Sequence, residues 1–265
     1  MTVLSLLVLM ISTVMNSASL TMASTNKHLN ADDQARMVFD RMQMDLTRML
    51  RRSDVYFQFT KLNGNDQCTF YSETPGYFPT STSTPLESNV SLISYQFNPA
   101  YPYQLERLSQ GCQWTEIAFT PSTSGTFSTT NPTHVLSNAV FRMELAFLEK
   151  VSDTSFQITT TAPTPGSQAF QSCYGIMVAI AVLDPTSQKM MTAGNYTTLI
   201  AALPDYIGTQ TISLSTTSSP TAATIDPIVS SWQTALNAST FAQTAGVSAA
   251  AARQVRIYQR IIYLQ

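Results

Sequence analysis

Met1 to Arg52 contains neither proline nor glycine. A stretch of that length without a helix breaker favours one conformation, a helix, which at 1.5 Å per residue would run for about 78 Å. Its two halves differ in kind. Val3 to Met15 holds ten apolar residues in thirteen, interrupted by Ser5, Ser12 and Thr13, and the first charge is Lys27. Further on, Ala35, Val38, Phe39, Met42, Leu46, Met49 and Leu50 recur at i, i+3, i+4, i+7. That spacing is one apolar stripe on an otherwise charged helix. Asp32/Arg36 and Arg36/Asp40 stand four apart on its polar side and can support it. Asn30, with Asp33 three residues on, could cap a separate second helix, so a break there stays open.

The apolar half has three readings. As a bilayer-spanning helix it reaches the required length of about 20 residues only by taking in Asn16, Ser17, Ser19 and Thr21. As a cleaved secretory signal it lacks a basic leading region, although Ser17-Ala18-Ser19 could pass as a cleavage site. The third reading is a buried core helix. Continuity with the amphipathic half favours the first. The expected division is therefore a membrane-spanning segment over 1–25 and a head over 26–265 that includes the amphipathic helix 26–52. The membrane-facing positions are Val3, Leu4, Leu6, Leu7, Val8, Leu9, Met10, Ile11, Val14 and Met15.

With 265 residues, 44% of them hydrophobic, the chain can bury a substantial core. Its net charge of -2 gives no footprint for a nucleic-acid partner. Only 11% of residues are charged, against roughly 25% in ordinary soluble proteins. Those charges crowd between Lys27 and Lys61, leaving a body made polar by Ser, Thr, Asn and Gln, a composition that suits an extracytoplasmic surface. Cys68, Cys112 and Cys173 lie far apart with no CxxC. One pair could bridge in an oxidising compartment, and three buried thiols fit equally well.

Beyond Arg52 the pattern turns to period two. Asn63-Gly64-Asn65-Asp66 reads as a turn, with too few carboxylates after it for a calcium loop. Cys68 to Glu73, "SLISYQF" with its hairpin partner "QLERL", and "CQWTEIAF" read as strands. So does "VLSNAVFRMELAFLEK", with Phe141, Met143, Leu145 and Phe147 on one face and Arg142 and Glu144 on the other, the signature of a half-buried antiparallel strand. "SFQITTTA" is its candidate partner. "YGIMVAIAVLD" is apolar on both faces, as a central strand would be, and Asp184-Pro185 stops it. "NYTTLIAALPDYI" reads as a short helix and "TQTISLSTTSSPTAAT" as a loop. Asp226-Pro227 opens another helix, with Asp as N-cap and Pro at N1. "VRIYQRIIYLQ" is a terminal strand. The fold class expected is α+β: a long N-terminal helix packed on an antiparallel head, Val38, Phe39, Met42, Leu46 and Met49 meeting Phe141, Met143, Leu145 and Phe147.

No GxSxG, HExxH, P-loop or GxGxxG occurs. His28 and His134 have no linked nucleophile or carboxylate pattern, and nine glycines offer no phosphate cradle. The expectation is a protein that is not an enzyme, with no catalytic, cofactor-binding or metal-ligating residue and no cofactor.

The run from "ARMVFDRMQMDLTRMLRRSD" through "SYQF…LERL" and "HVLSNAVFRMELAFLEK" to "YGIMVAIAVLD" resembles the minor pseudopilins of the type II secretion system, the J type in particular. Among pilin-like proteins with prepilin-type cleavage and methylation signals it is most similar to the Verru_Chthon cassette protein C group. The resemblance spans Val3 to about Asp184 and returns at "VRIYQRIIYLQ"; Thr186 to Ala252 lies outside it. It implies a bacterial structural subunit of a type II secretion or type IV pilus-like apparatus. Such a subunit is held in the inner membrane with a periplasmic head before assembly into a pilus or pseudopilus tip. Its partners would be other pilin or pseudopilin subunits and membrane lipid. The family opens on a basic leader and a "GFTLxE"-type cleavage site, and this sequence shows neither. The expectation is a true start upstream of Met1, and a prepilin peptidase is a partner only in that case. The rival from another class is a membrane-tethered periplasmic binding or hydrolytic domain acting alone.

Overall fold

The computed structural model describes residues 2–52, 55–77, 87–112, 134–163, 172–213 and 226–264; for residues 2–9, 20, 23–24 and 26–28 it describes the backbone alone. The chain is α+β, helices with antiparallel sheets. Helix α1 runs unbroken through Thr2–Thr47, 46 residues and so about 69 Å. Asn30 does not interrupt it. It ends five residues before Arg52 because the chain there turns to pair with a strand: Met49 bridges Ser72, Leu50 N–H donates to Tyr71 O, and Glu73 N–H donates to Arg48 O.

Two five-stranded antiparallel sheets follow. The first orders β1 (Phe57–Thr60), β2 (Gln67–Ser72), β5 (Ser91–Phe97), β6 (Leu105–Gly111) and β7 (His134–Ser137) as β1-β2-β5-β6-β7. The second orders β8 (Val140–Ser152), β9 (Ser155–Thr159), β10 (Cys173–Val182), β11 (Thr209–Ser213) and β12 (Arg256–Tyr263) as β11-β9-β8-β10-β12. A small ribbon pairs β3 (Gly76–Tyr77) with β4 (Glu87–Ser88). The helices after β10 are α2 (Pro185–Gln188), α3 (Ala193–Ala202), α4 (Pro227–Asn237), α5 (Phe241–Thr244) and α6 (Ala249–Ala252).

Several sequence expectations hold. The "SLISYQF"/"QLERL" hairpin is β5 and β6. "SFQIT" pairs with β8. "YGIMVAIAV" is a central strand, flanked by β8 and β12. Others need correction. "VLSNAVFRMELAFLEK" is two strands in different sheets, because the chain crosses from β7 to β8 at Asn138-Ala139. "TQTIS" is not loop but edge strand β11. Asp226 stands at the N-cap of α4 without capping it; its carboxylate instead accepts from the Gln259 side chain. "CQWTEIAF" lies outside the described residues, apart from the buried Cys112.

The main core is shared by both sheets and the second half of α1. The far face of the second sheet carries another core, roofed by α3, α4 and α5 around Tyr196, Leu199, Ile228, Trp232 and Phe241. β8 is therefore covered on both faces, not half-buried, and Arg142 and Glu144 are fully buried. Phe141 also departs from the expected stripe. Met143, Leu145 and Phe147 face the α1 core, but the pairing slips between Ala181↔Arg142 and Val182↔Val140, leaving Phe141 as an extra residue. An inserted residue reverses the alternation of the strand. Phe141 thus joins the other core, 6.5 Å from the ring of Tyr196, and Val140 takes the α1 side.

The bulged half of β8 also lacks a strand on one side, since β9 begins pairing only at Phe147. The β1–β2 turn closes that edge. The Asn65 side-chain amide donates to Phe141 O (3.0 Å) and its oxygen accepts from Met143 N–H (2.9 Å). Asp66 N–H donates to Met143 O at 3.1 Å and Asp66 Oδ2 accepts from Leu145 N–H at 2.7 Å, while Lys61 Nζ donates to Leu145 O at 2.8 Å. A turn thus substitutes for a strand and ties the sheets together. Replacing Asn65 by Ala strands two backbone groups and should cost about 2–6 kcal/mol in urea unfolding, each unsatisfied group being worth about 1–3. Asn63→Ala, two residues away on the exposed side of the turn, should stay within about 0.5 kcal/mol.

Candidate functional site

The site residues expected from sequence fall on α1 and β8. In the second half of α1, Ala31, Ala35, Val38, Phe39, Met42 and Leu46 are buried at helical spacing, with Met49 just beyond its end. They meet Met143, Leu145 and Phe147 of β8 and Ile176, Val178 and Ile180 of β10 in one core. All nine expected packing residues are buried, and eight of them share this core, Phe141 being the exception. Each large apolar side chain so buried contributes roughly 1.5–3 kcal/mol.

Polar contacts fix the rotation of the helix about its axis. The fully buried Asp45 carboxylate takes two hydrogen bonds from Arg107 of β6, at 2.6 and 3.0 Å, and one from the Tyr95 hydroxyl of β5, at 2.5 Å. Arg41, one turn earlier, stands 3.5 Å from the same carboxylate and so is not a purely solvated residue. Burial, then the Asp45 charge, pushes the Tyr95 hydroxyl well above its ordinary pKa. Burial works against the Arg107 charge, but Asp45 outweighs it and raises the guanidinium pKa. On the opposite flank Asp32 accepts from the Tyr258 hydroxyl, and Asp40 pairs with Arg260 at 2.6 Å. These two carboxylates reach across to β12, where i,i+4 pairing with Arg36 had been expected. Arg260 also lies 5.1 Å over the Phe39 ring.

The first half of α1 is different. Every described side chain from Met10 to Asn30 is exposed, including Met10 (60%), Ile11 (52%), Val14 (67%) and Met15 (67%). The other expected membrane-facing residues, Val3, Leu4, Leu6, Leu7, Val8 and Leu9, lie on the helix, but their side chains are outside the described residues. Among the described residues no helix is long and apolar enough to cross a membrane. The observed feature is therefore an apolar helical arm, continuous with a helix that is bolted into the head.

A second cluster is invisible in sequence. Lys61 lies 2.6 Å from Asp66 and 3.3 Å from Glu144; Arg142 lies 3.3 Å from Glu144 and also pairs with Asp205. Glu144 Oε1 accepts from Tyr206 N–H at 2.6 Å, and Gly64 N–H donates to Asp205 at 3.2 Å. Gly64 is in the left-handed region at φ 107°, which glycine adopts without strain. Arg142 stacks 5.3 Å from the Trp232 ring, whose Nε1 donates to Pro204 O. Three carboxylates face two cations here. Burial raises the pKa of Glu144 and of Asp66, against the pull of Lys61.

Cys68, Cys112 and Cys173 are all buried. Burial pushes Cys173 up to about 11 and Cys68 higher still, so neither is a thiolate near neutrality. Among the described residues no group of three or more His, Cys, Asp or Glu could hold a metal. No protein-family model matches this chain, and no characterised protein matches it at a significant level.

Two outcomes follow for these clusters. Arg107→Met leaves the Asp45 carboxylate buried without its main partner and should cost about 3–5 kcal/mol, whereas Asp40→Ala, in an exposed pair, should cost less than about 1. Urea melts read both. The raised acids also give a pH signature. An acid whose folded pKa exceeds its unfolded value stabilises fully below the unfolded value, and that contribution is lost as pH rises through the folded one. From the ordinary values of 3.8 for Asp66 and 4.5 for Glu144 upward, their contribution therefore shrinks. Melts between pH 3 and 8 should show Glu144→Gln gaining on the parent as pH rises; the reverse trend would mean that the ion pairs outweigh burial.

Proposed function

We propose that this chain is a structural, pilin-like subunit: a minor pilin or pseudopilin of a type II secretion or type IV pilus-like apparatus. In this reading it is kept in the inner membrane with its head in the periplasm until it is assembled. The observation that carries the reading is the division of α1. Its second half is fixed in the head by a buried stripe and by Asp45, so force or position applied to the arm is transmitted to the head without a hinge. Its first half exposes Met10, Ile11, Val14, Met15, Met22 and Leu29 to whatever surrounds it. Exposed apolar side chains repeated along a helix mark a surface made for lipid or for another apolar helix.

A lipid bilayer and a bundle of like helices offer the same apolar environment, so one arm can serve storage and assembly in turn. Lipid and neighbouring subunits are accordingly the partners proposed for 1–25, and the head over 26–265 supplies recognition. The same reading makes the protein structural and not an enzyme. Two charges on the arm test it. An arginine at the centre of a membrane helix costs about 2.5–3.5 kcal/mol on insertion scales. Met10→Arg combined with Val14→Arg should move the chain from the membrane to the soluble fraction and remove it from any sheared filament fraction. The urea midpoint of the head should not change, because neither side chain is packed. Membrane association undiminished in that double variant would rule out the arm as the anchor.

A further inference from the structure

A cleft of 470 Å³ opens beside the buried ion cluster, between the β1–β2 turn, the β5–β6 turn and the C-terminal end of α3. That volume falls within the roughly 300–1,000 Å³ typical of ligand pockets. Its walls are apolar, from Pro102, Ile200, Ala201, Leu203 and Pro204. Asn63 and Thr197 stand among its lining residues, both exposed, and Asp205 closes the polar end. Asp205 is 24% exposed, and both hydrogen bonds described for it fall on Oδ1. Oδ2 has no partner among the described residues.

The charge balance decides what Oδ2 would accept. Lys61 pairs with Asp66 at 2.6 Å and reaches Glu144 at 3.3 Å, and Arg142 lies between Glu144 at 3.3 Å and Asp205, its nearer partner. Among the described residues three carboxylates share two cations, so the cluster as a whole carries one negative charge in excess, and Asp205 is the member of it that lines the cleft. A buried or half-buried charge in excess favours a partner of opposite sign. Apolar walls leading to a lone carboxylate oxygen fit an ammonium on a short aliphatic stem, and the exposed Asn63 and Thr197 suit peptide amides flanking that stem.

We infer that this cleft is a binding site for a lysine side chain presented by a partner polypeptide, with its ammonium on Asp205 Oδ2 and its stem along Pro102, Ile200 and Pro204. The site stands on a different part of the head from α1 and does not depend on how the arm is used.

The test is a titration of the full chain, methyl-labelled at isoleucine, with N-acetyl-lysine methylamide, following the Ile200 methyl signal. Saturable binding is expected, weakened as salt is raised. N-acetyl-norleucine methylamide, which keeps the stem and lacks the ammonium, should bind at least about tenfold more weakly, the usual worth of one charge-assisted hydrogen bond. Asp205→Asn keeps an amide oxygen to accept from Arg142 and should weaken the lysine probe by a similar factor, with a cooperative urea melt showing that the variant is folded. Ala201→Trp, at an exposed position on the wall, should block binding without touching the cluster. Absence of saturable binding, equal binding of the norleucine probe, or unchanged affinity in Asp205→Asn would each overturn the inference. Cadaverine should bind more weakly than the lysine probe, and equal binding would overturn the assignment to a peptide.

Discussion

The unpaired edge of β8 is the constraint around which the rest of the molecule is arranged. Backbone groups at Phe141, Met143 and Leu145 face away from β10 and would be buried without partners, at a cost of about 1–3 kcal/mol each. A strand cannot lie there, because the β1–β2 hairpin of the other sheet occupies the position. Lys61, Asn65 and Asp66 instead supply side-chain and backbone partners one by one. The solution brings in a lysine and an aspartate that offset each other, and Glu144 reaches the same lysine. Arg142 and Asp205 complete the set. One geometrical gap thus accounts for the joining of two sheets, for the placement of five charged residues, and for the cleft at their end.

The helix obeys a different logic. Its second half behaves as part of the core, with six buried apolar residues and a carboxylate held by Arg107 and Tyr95. The buried ion pair adds little net stability over an apolar packing, but it has only one satisfactory orientation and so sets the rotation of α1. Because the helix is continuous through Asn30, that rotation also decides which way Met10, Ile11, Val14 and Met15 point. The arm inherits its orientation from the head.

Much of this was legible in the residues. Absence of Pro and Gly over 52 positions favoured a long helix while leaving a break at Asn30 open, and the stripe from Ala35 to Met49 specified its buried face, since helical periodicity is local. Alternation marked β5 and β8, a run apolar on both faces marked β10, and β6 followed as the hairpin partner of β5. Phe141 was misplaced because a bulge depends on what the neighbouring strand needs, and nothing local marks the inserted residue. β11 was hidden in a Ser/Thr-rich run, where an edge strand has few apolar positions to alternate. Arg142 and Glu144 looked like a solvent face because charge on alternate residues usually means water. Here it meant a second layer.

The sequence by itself determined the helical character of the opening stretch, its division into an apolar and an amphipathic half, the α+β class and most strands, all set by interactions within a few residues. Only the tertiary structure decided which charges are buried, where β8 reverses its faces, and that one Asp205 oxygen has no partner among the described residues beside a cleft. Those features join Lys61, Asp66, Arg142, Glu144 and Asp205 across as many as 144 positions in the chain. A hydrogen bond or ion pair between residues that far apart leaves no periodicity behind it, because its partners are chosen by the packing of two sheets and not by the chain between them.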